Sequence, residues 1–371
     1  MKICGIVCEF NPLHNGHLRL LRFAKEQSGC DAVLCVMSGN FSQRGEPCLL
    51  EKTIRAKHAV LAGADAVLEL PFVFATASAE DFALGAIRIL QAVGADTLCF
   101  GSECGDTPAL RKAADFLSSK NFEPHLQNGN SYAKAADLCL REEGITLLGE
   151  PNNLLAVTYL LACQKQNYSP RLLTLRRDRS ENATICTSRT IREAVDSDQK
   201  STVKACVPAF VYDDLPAKTS LTAYRQFAFS SLATQSAADL REIYGVCEGL
   251  EHRILQAART SSDFEDLLLQ CKTKRYTLLK LQRILLHTAV GLTKAQAERA
   301  KLEPVYFVPL ALNEAKADEM LGLLARRGTF LKQAEGVAKS FDQTADRLYR
   351  SLTGEKIAKN APSTPFLRVK A

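Results

Sequence analysis

Residues 6–17 read Ile6-Val7-Cys8-Glu9-Phe10-Asn11-Pro12-Leu13-His14-Asn15-Gly16-His17, and the fold is decided there. Four apolar positions between Ile3 and Val7 predict a buried strand, and a polar turn follows in which Asn-Gly separates two histidines. Leu18, Leu20, Leu21, Phe23 and Ala24 then recur at helical spacing, so a strand hands directly to a helix. In an open parallel sheet, ligands bind beyond the carboxyl ends of the strands, where the following helix aims its free N–H groups and positive dipole end. An anion is the expected guest. Asn15 or the preceding turn would cap the helix, Gly16 would let a ligand approach the backbone, and His14 and His17 would donate to phosphate oxygens. A single histidine near a helix start is usually a cap or a surface residue; two of them around Asn-Gly, straight after a strand, point to a ligand.

The same grammar repeats. Ala32–Met37 reads as a second buried strand, and its polar continuation Ser38–Pro47 borders the same crevice, making Asn40, Gln43, Arg44 and Glu46 candidate substrate contacts. A helix is expected over 49–62, with Lys52, Arg55 and Lys57 on it. A third strand spans Ala66–Leu70, ended by Pro71, and a helix over 78–93 leads to a fourth at Asp96–Phe100, closed by Gly101-Ser102-Glu103. Helices are expected near 107–119 and 130–143, then from Pro151-Asn152-Asn153, where Asn152 is an N-cap or a ligand contact. A fifth strand, Leu172–Leu175, runs into Arg176-Arg177-Asp178-Arg179, whose guanidiniums suit phosphate. Cys186-Thr187-Ser188-Arg189-Thr190-Ile191-Arg192 opens a short helix with hydroxyls at its edge, a second phosphate-binding element in which Ser188 and Arg192 are candidates. This alternation predicts a doubly wound α/β domain over residues 1–200.

Beyond residue 200 helical patterns dominate, over 221–235, 238–258 and 274–289, with one convincing strand at 304–310. A second, mostly α-helical domain over 201–371 is expected. It holds 25 Lys or Arg against 18 Asp or Glu, whereas residues 1–200 hold 22 against 23, so the basic excess is C-terminal. Lys272, Lys274, Arg275, Lys280 and Arg283, with a second patch at Arg326, Arg327 and Lys332, suit a nucleic-acid backbone, although such stripes also form the wet side of ordinary helices. The thirteen cysteines are odd in number and scattered, which predicts reduced, mostly buried thiols rather than a disulfide scaffold, and their spacing suits no structural zinc site, so no metal-ligating residue is expected. No apolar run reaches membrane-span length and no leader precedes the first strand, so a cytoplasmic protein without a membrane association is expected.

His14-Asn15-Gly16-His17 resembles the HxGH signature of the nucleotidyltransferase superfamily, which includes adenylyltransferases and class I aminoacyl-tRNA synthetases. That resemblance implies attack on the α-phosphate of ATP with pyrophosphate leaving, and a Rossmann-like nucleotidyltransferase domain. The Thr187–Arg192 stretch is similar to the SSTxxR-type motif of superfamily adenylyltransferases, with Arg189 where a threonine is usual. Taken with Met37–Pro47, Gly63–Pro71 and Phe100–Glu103, the Cys8–His17 segment resembles the bacterial tRNA(Met) cytidine acetate ligase family, densely over residues 1–200 and more loosely afterwards. The family implies activation of acetate by ATP to acetyladenylate and acetyl transfer to N4 of the wobble cytidine of elongator tRNA(Met), forming N4-acetylcytidine. It implies an ATP site of Val7, Cys8, Glu9, Phe10, Asn11, Pro12, Leu13, His14, Asn15, Gly16, His17, Leu18, Arg19 and Leu20, with Gly101, Asn152 and either Arg176 or Arg177. Mg²⁺ is expected to travel with ATP, and no obligatory protein partner is implied. The competing expectation is a small-molecule adenylyltransferase with an unrelated helical tail, which would not need the basic C-terminal half.

Overall fold

The computed structural model describes the chain apart from residues 120–131, 178–185, 218, 220, 248, 331–333 and 355–365. Asp178, Arg179 and Lys332 therefore lie outside the described residues. Strands β1 (Ile3–Cys8), β2 (Ala32–Ser38), β3 (Ala66–Leu70), β4 (Thr97–Ser102) and β5 (Arg171–Arg176) are mutually parallel. They lie side by side in the order β5-β4-β1-β2-β3. Every residue of β2 is buried, as expected of a parallel strand covered on both faces. The chain winds outward from β1 through β2 to β3, then crosses back to β4 and β5. That reversal opens a crevice between the carboxyl ends of β1 and β4, where the 9–17 turn emerges.

The C-terminal half is not purely helical around this sheet. Of its strands β6 (Tyr306–Phe307), β7 (Pro309–Asn313), β8 (Thr329–Phe330) and β9 (Leu367–Val369), β7 pairs antiparallel with β3, and β9 extends the sheet beyond it. The single strand expected over 304–310 is thus divided. Its first part pairs with β8 in a separate two-stranded sheet, because Pro309 cannot donate to a continuous ladder and the β3–β7 register shifts at Val67/Leu68. The helix expected over 238–258 is also two, Ala237–Glu242 and Leu250–Thr260, since Gly245 and Gly249 take positive φ between them. Both halves consequently share one sheet and one hydrophobic core.

Among the cysteines, Cys186 and Cys206 form a disulfide with Cα atoms 5.3 Å apart, which corrects the expectation of thiols throughout. The sequence carries no pairing signal; the fold sets the helices Ser188–Asp196 and Lys200–Cys206 side by side. The other eleven cysteines form no disulfide. Among the described residues, no helix is long and apolar enough to cross a membrane.

Candidate active site

The turn after β1 is built from its own residues. Phe10 adopts φ 47° and the Asn11–Pro12 peptide is cis. Phe10, Asn11, Pro12 and Leu13 are buried beneath it, Val7, Cys8, Glu9, His17, Leu18 and Leu20 are half-buried, and Asn15, Gly16 and Arg19 are exposed. The N-cap of the helix Asn15–Gln27 is His14, not Asn15: His14 Nδ1 accepts from Gly16 N–H at 3.1 Å, and His17 Nδ1 accepts from His14 N–H at 3.3 Å. The two imidazoles thereby take the roles usually filled in a capping box by hydroxyl and carboxylate groups. Their rings stack with centroids 3.7 Å apart, and Phe10 packs edge-on to His17 at 5.0 Å. A Cβ at position 16 would come within 2.9 Å of the His14 ring, so this packing requires glycine.

These bonds determine the protonation chemistry. Each Nδ1 is occupied as an acceptor, so each neutral ring carries its proton on Nε2. Burial, with the charge of Arg177 nearby, holds His14 down to about 4. Burial, then His14, then Arg177 hold His17 well below the usual imidazole range. The site therefore offers two neutral Nε2–H donors.

Arg177 comes from the opposite wall. Its side chain runs across Gly101, where a Cβ would lie 3.4 Å from its Nε, whereas the stem of Arg176 packs on Gly105. Of the two arginines that the sequence leaves open, it is the charge of Arg177 that acts on both histidines. Gly101 ends near the same wall, and Asn152, in the first turn of the helix Pro151–Lys165, is bound by Glu103.

Ser188 and Arg192 reach the turn rather than standing apart from it. Ser188 Oγ donates to Pro12 O at 3.2 Å and Arg192 Nη1 to Asn11 O at 2.6 Å. Asn15 Nδ2 donates to Ala205 O at 3.0 Å, so both segments that the disulfide joins hydrogen-bond to the histidine turn.

The Ser38–Pro47 loop departs most from its reading as a substrate-contact segment. Asn40 is 3% exposed; its amide donates to Asp346 at 2.9 Å and its oxygen accepts from Lys52 N–H. Gln43 N–H donates to Glu9 Oε1 at 2.7 Å and its carbonyl accepts from Arg283. Tyr224 OH donates to Gly45 O at 2.7 Å, and a Cβ on Gly45 would meet the Arg283 backbone at 2.7 Å. Glu46 accepts from Gln282 at 2.9 Å. Most of the loop is therefore a bracket that locks the parallel sheet to the C-terminal helices. Arg44 differs: it is half-buried, and its charge acts on Arg192 beside Asn11.

Two buried charge clusters lie outside the sequence reading of the site. Arg55 is fully buried, its guanidinium donating to Leu50 O at 2.9 Å, Glu9 O at 2.6 Å, Ser38 O at 3.2 Å and also Gly39 O. Lys52 pairs with Glu69 at 2.9 Å and Asp346 at 2.6 Å, joining β3 to the helix Val337–Thr353. Their only signal in the sequence is a charged residue on the apolar stripe of the 49–62 segment, a pattern shared with snorkelling surface lysines. Farther off, Lys272, Lys274 and Arg275 are exposed, and Arg275 and Lys280 lie 5.9 and 5.1 Å from the Tyr276 ring centre.

The profile of the HIGH Nucleotidyl Transferase family matches residues 1–360. A tRNA(Met) cytidine acetate ligase of Caldicellulosiruptor saccharolyticus is 40% identical over 78% of this chain and 77% of its own, and one of Geobacillus sp. is 36% identical over 84% of each. The crystal structure of Thermotoga maritima TmcAL bound with alpha-thio ATP superposes with a TM-score of 0.88 at 28% identity, covering 100% of both chains. The apo form of that protein gives 0.89 at 27% identity, again over 100% of both chains. The strand–turn–helix with its paired histidines, the shared sheet and these full-length likenesses place the chain in the tRNA(Met) cytidine acetate ligase family of HIGH nucleotidyl transferases.

Proposed function

We propose that this protein activates acetate with ATP and transfers the acetyl group to N4 of the wobble cytidine of elongator tRNA(Met). What carries the reading is the histidine turn, whose two rings each keep Nε2–H as a donor while the charge of Arg177 acts on both, in a chain that superposes over its full length on an ATP-analogue-bound relative. An acetate oxygen attacks the α-phosphorus in line, the bond to the bridging oxygen breaks, and pyrophosphate leaves. Neutral imidazole donors and a fixed guanidinium stabilise the charge that builds on the transferring and leaving phosphates without having to be reorganised during the step. The exocyclic N4 of cytidine then attacks the acetyl carbonyl, AMP leaves with the acyl oxygen, and N4 loses a proton.

In this reading Val7 to Leu20 form the floor of the ATP site and Gly101, Asn152 and Arg177 its far wall, with His14 and His17 the catalytic pair. Ser188 and Arg192 hold the turn by its carbonyls, and Arg44 adds positive charge beside them. Mg²⁺ enters on the phosphates, held by them and by water; among the described residues no group of three His, Cys, Asp or Glu side chains is placed to cage it. Residues 1–200 supply activation, and Lys272, Lys274 and Arg275 in residues 201–371 contact tRNA phosphates. A cytoplasmic location follows from the tRNA substrate. The test is product analysis with ATP, acetate and tRNA: AMP and pyrophosphate in step with tRNA acetylation support the reading. Adenylyl transfer to a metabolite, with acetate inert, would refute it.

A further inference from the structure

Glu103 places a carboxylate at the wall of a site that must hold a polyanion. On simple electrostatic grounds this is unfavourable, since like charges at close range oppose binding. Its bonds are therefore informative. Glu103 Oε1 accepts from Asn152 N–H at 3.3 Å and from Asn152 Nδ2 at 2.6 Å, while Oε2 accepts from Asn153 N–H at 2.9 Å. In return, Asn153 Oδ1 accepts from the backbone N–H groups of Glu103 and Cys104 at 3.0 and 3.1 Å. The helix Pro151–Lys165 has no cap from its own N-cap side chain, so Glu103 satisfies its first free donors from a different segment.

From this geometry we infer that Glu103 is a positioning residue for ATP binding: it fixes the amide of Asn152 in one orientation and occupies the helix end that would otherwise attract phosphate. The inference rests on the reading of Asn152 and Arg177 as the far wall of the ATP site. A carboxylate only accepts hydrogen bonds, so it selects the Nδ2 end of Asn152 and leaves Oδ1 as the group presented elsewhere. With the helix dipole already matched by Glu103, phosphate is directed instead to the histidine turn and Arg177. Burial lowers the pKa of the Arg177 guanidinium and the Glu103 charge opposes that effect, so the same carboxylate that binds Asn152 also acts on Arg177.

The test is a double-mutant cycle with Glu103→Gln, Asn152→Ala and the double variant, reading KM for ATP and kcat in acetate- and tRNA-dependent pyrophosphate release. Glutamine keeps the shape of Glu103 but can donate as well as accept, so it no longer enforces one amide orientation. The expected result is a rise of roughly tenfold in KM for ATP with E103Q, kcat within about threefold and KM for tRNA unchanged, and no further rise when E103Q is added to N152A. A merely structural helix cap would instead lower thermal stability and act independently of Asn152, so effects that multiply in the double variant overturn the inference. A lower KM for ATP in E103Q would also overturn it, because removing charge repulsion would then be the whole effect. If N152A alone leaves ATP binding unchanged by titration calorimetry, the ATP-site reading itself has failed, and the inference falls with it. Calorimetry on the same folded samples, below the melting point of each variant, separates binding from any loss of folded protein.

Discussion

Arg55→Ala tests how the site is held. The guanidinium is fully buried and donates to the carbonyls of Leu50, Glu9, Ser38 and Gly39, so the substitution leaves four acceptors without that partner. An orphaned buried acceptor costs about 1–3 kcal/mol. Gly39 O keeps a contact from Cys48 Sγ, and water entering the vacated space can serve others, so the sum is not reached. The expected loss is about 4 kcal/mol, at the upper end for breaking a buried hydrogen-bond network. Arg55→Lys, which keeps the charge but not the planar fork, should lose about half as much. The assay is equilibrium urea unfolding, with the midpoint falling and the slope unchanged. Because Glu9 immediately precedes the histidine turn, ATP affinity should fall in parallel. Arg55→Ala within about 1 kcal/mol of the parent, with ATP affinity intact, would refute the claim that Arg55 ties the carboxyl ends of β1 and β2 together.

Other outcomes follow from the same geometry. His17→Ala should lower acetate-dependent adenylate formation by about a hundredfold or more while costing only about 1 kcal/mol of stability through its capping bond; unaltered turnover would remove it from the catalytic pair. His287, 2% exposed, is held down to about 4 by burial, so its folded pKa lies below its unfolded value. Its contribution is complete above about pH 6.5 and is lost as pH falls toward 4, amounting to about 2 kcal/mol at pH 5. Burial raises the carboxyls of Glu69 and Asp342, which act in the opposite direction, so the comparison is the parent against His287→Gln at pH 7 and pH 5. The parent should lose its advantage at the lower pH, and a gap independent of pH contradicts the neutral buried ring. Lys274→Glu with Arg275→Glu should weaken tRNA binding and flatten its salt dependence without slowing adenylate formation; unchanged affinity would exclude that patch.

What could be read from the sequence was what is local. The β1 strand, the polar turn and the following helix occupy one continuous stretch, and the alternation that follows predicts a parallel sheet with its crevice at the carboxyl ends of the strands, while the strand order is read only from the structure. The bracket made by Ser38–Pro47 could not be read that way. Asn40 meets Asp346 across 306 residues, and Gln43 meets Arg283 across 240, so a loop bonded to distant helices looks in sequence like one open to a ligand. Arg55 is hidden for a related reason: its acceptors are backbone carbonyls, which leave no residue-type signature. The Nε2–H tautomers of His14 and His17 follow from backbone N–H groups of the turn and emerge only once its shape is known. Gly245 and Gly249 broke an apolar period that otherwise continued across them.

In the proposed function, one chain joins acetate to tRNA cytidine at the expense of ATP. The most direct measurement of this is nucleoside mass spectrometry of elongator tRNA(Met) after incubation with the purified protein, ATP, Mg²⁺ and isotopically labelled acetate. The expected result is labelled N4-acetylcytidine at the wobble position, dependent on ATP and absent with His17→Ala. Unmodified cytidine under conditions where the protein still transfers adenylate to another acceptor would contradict it.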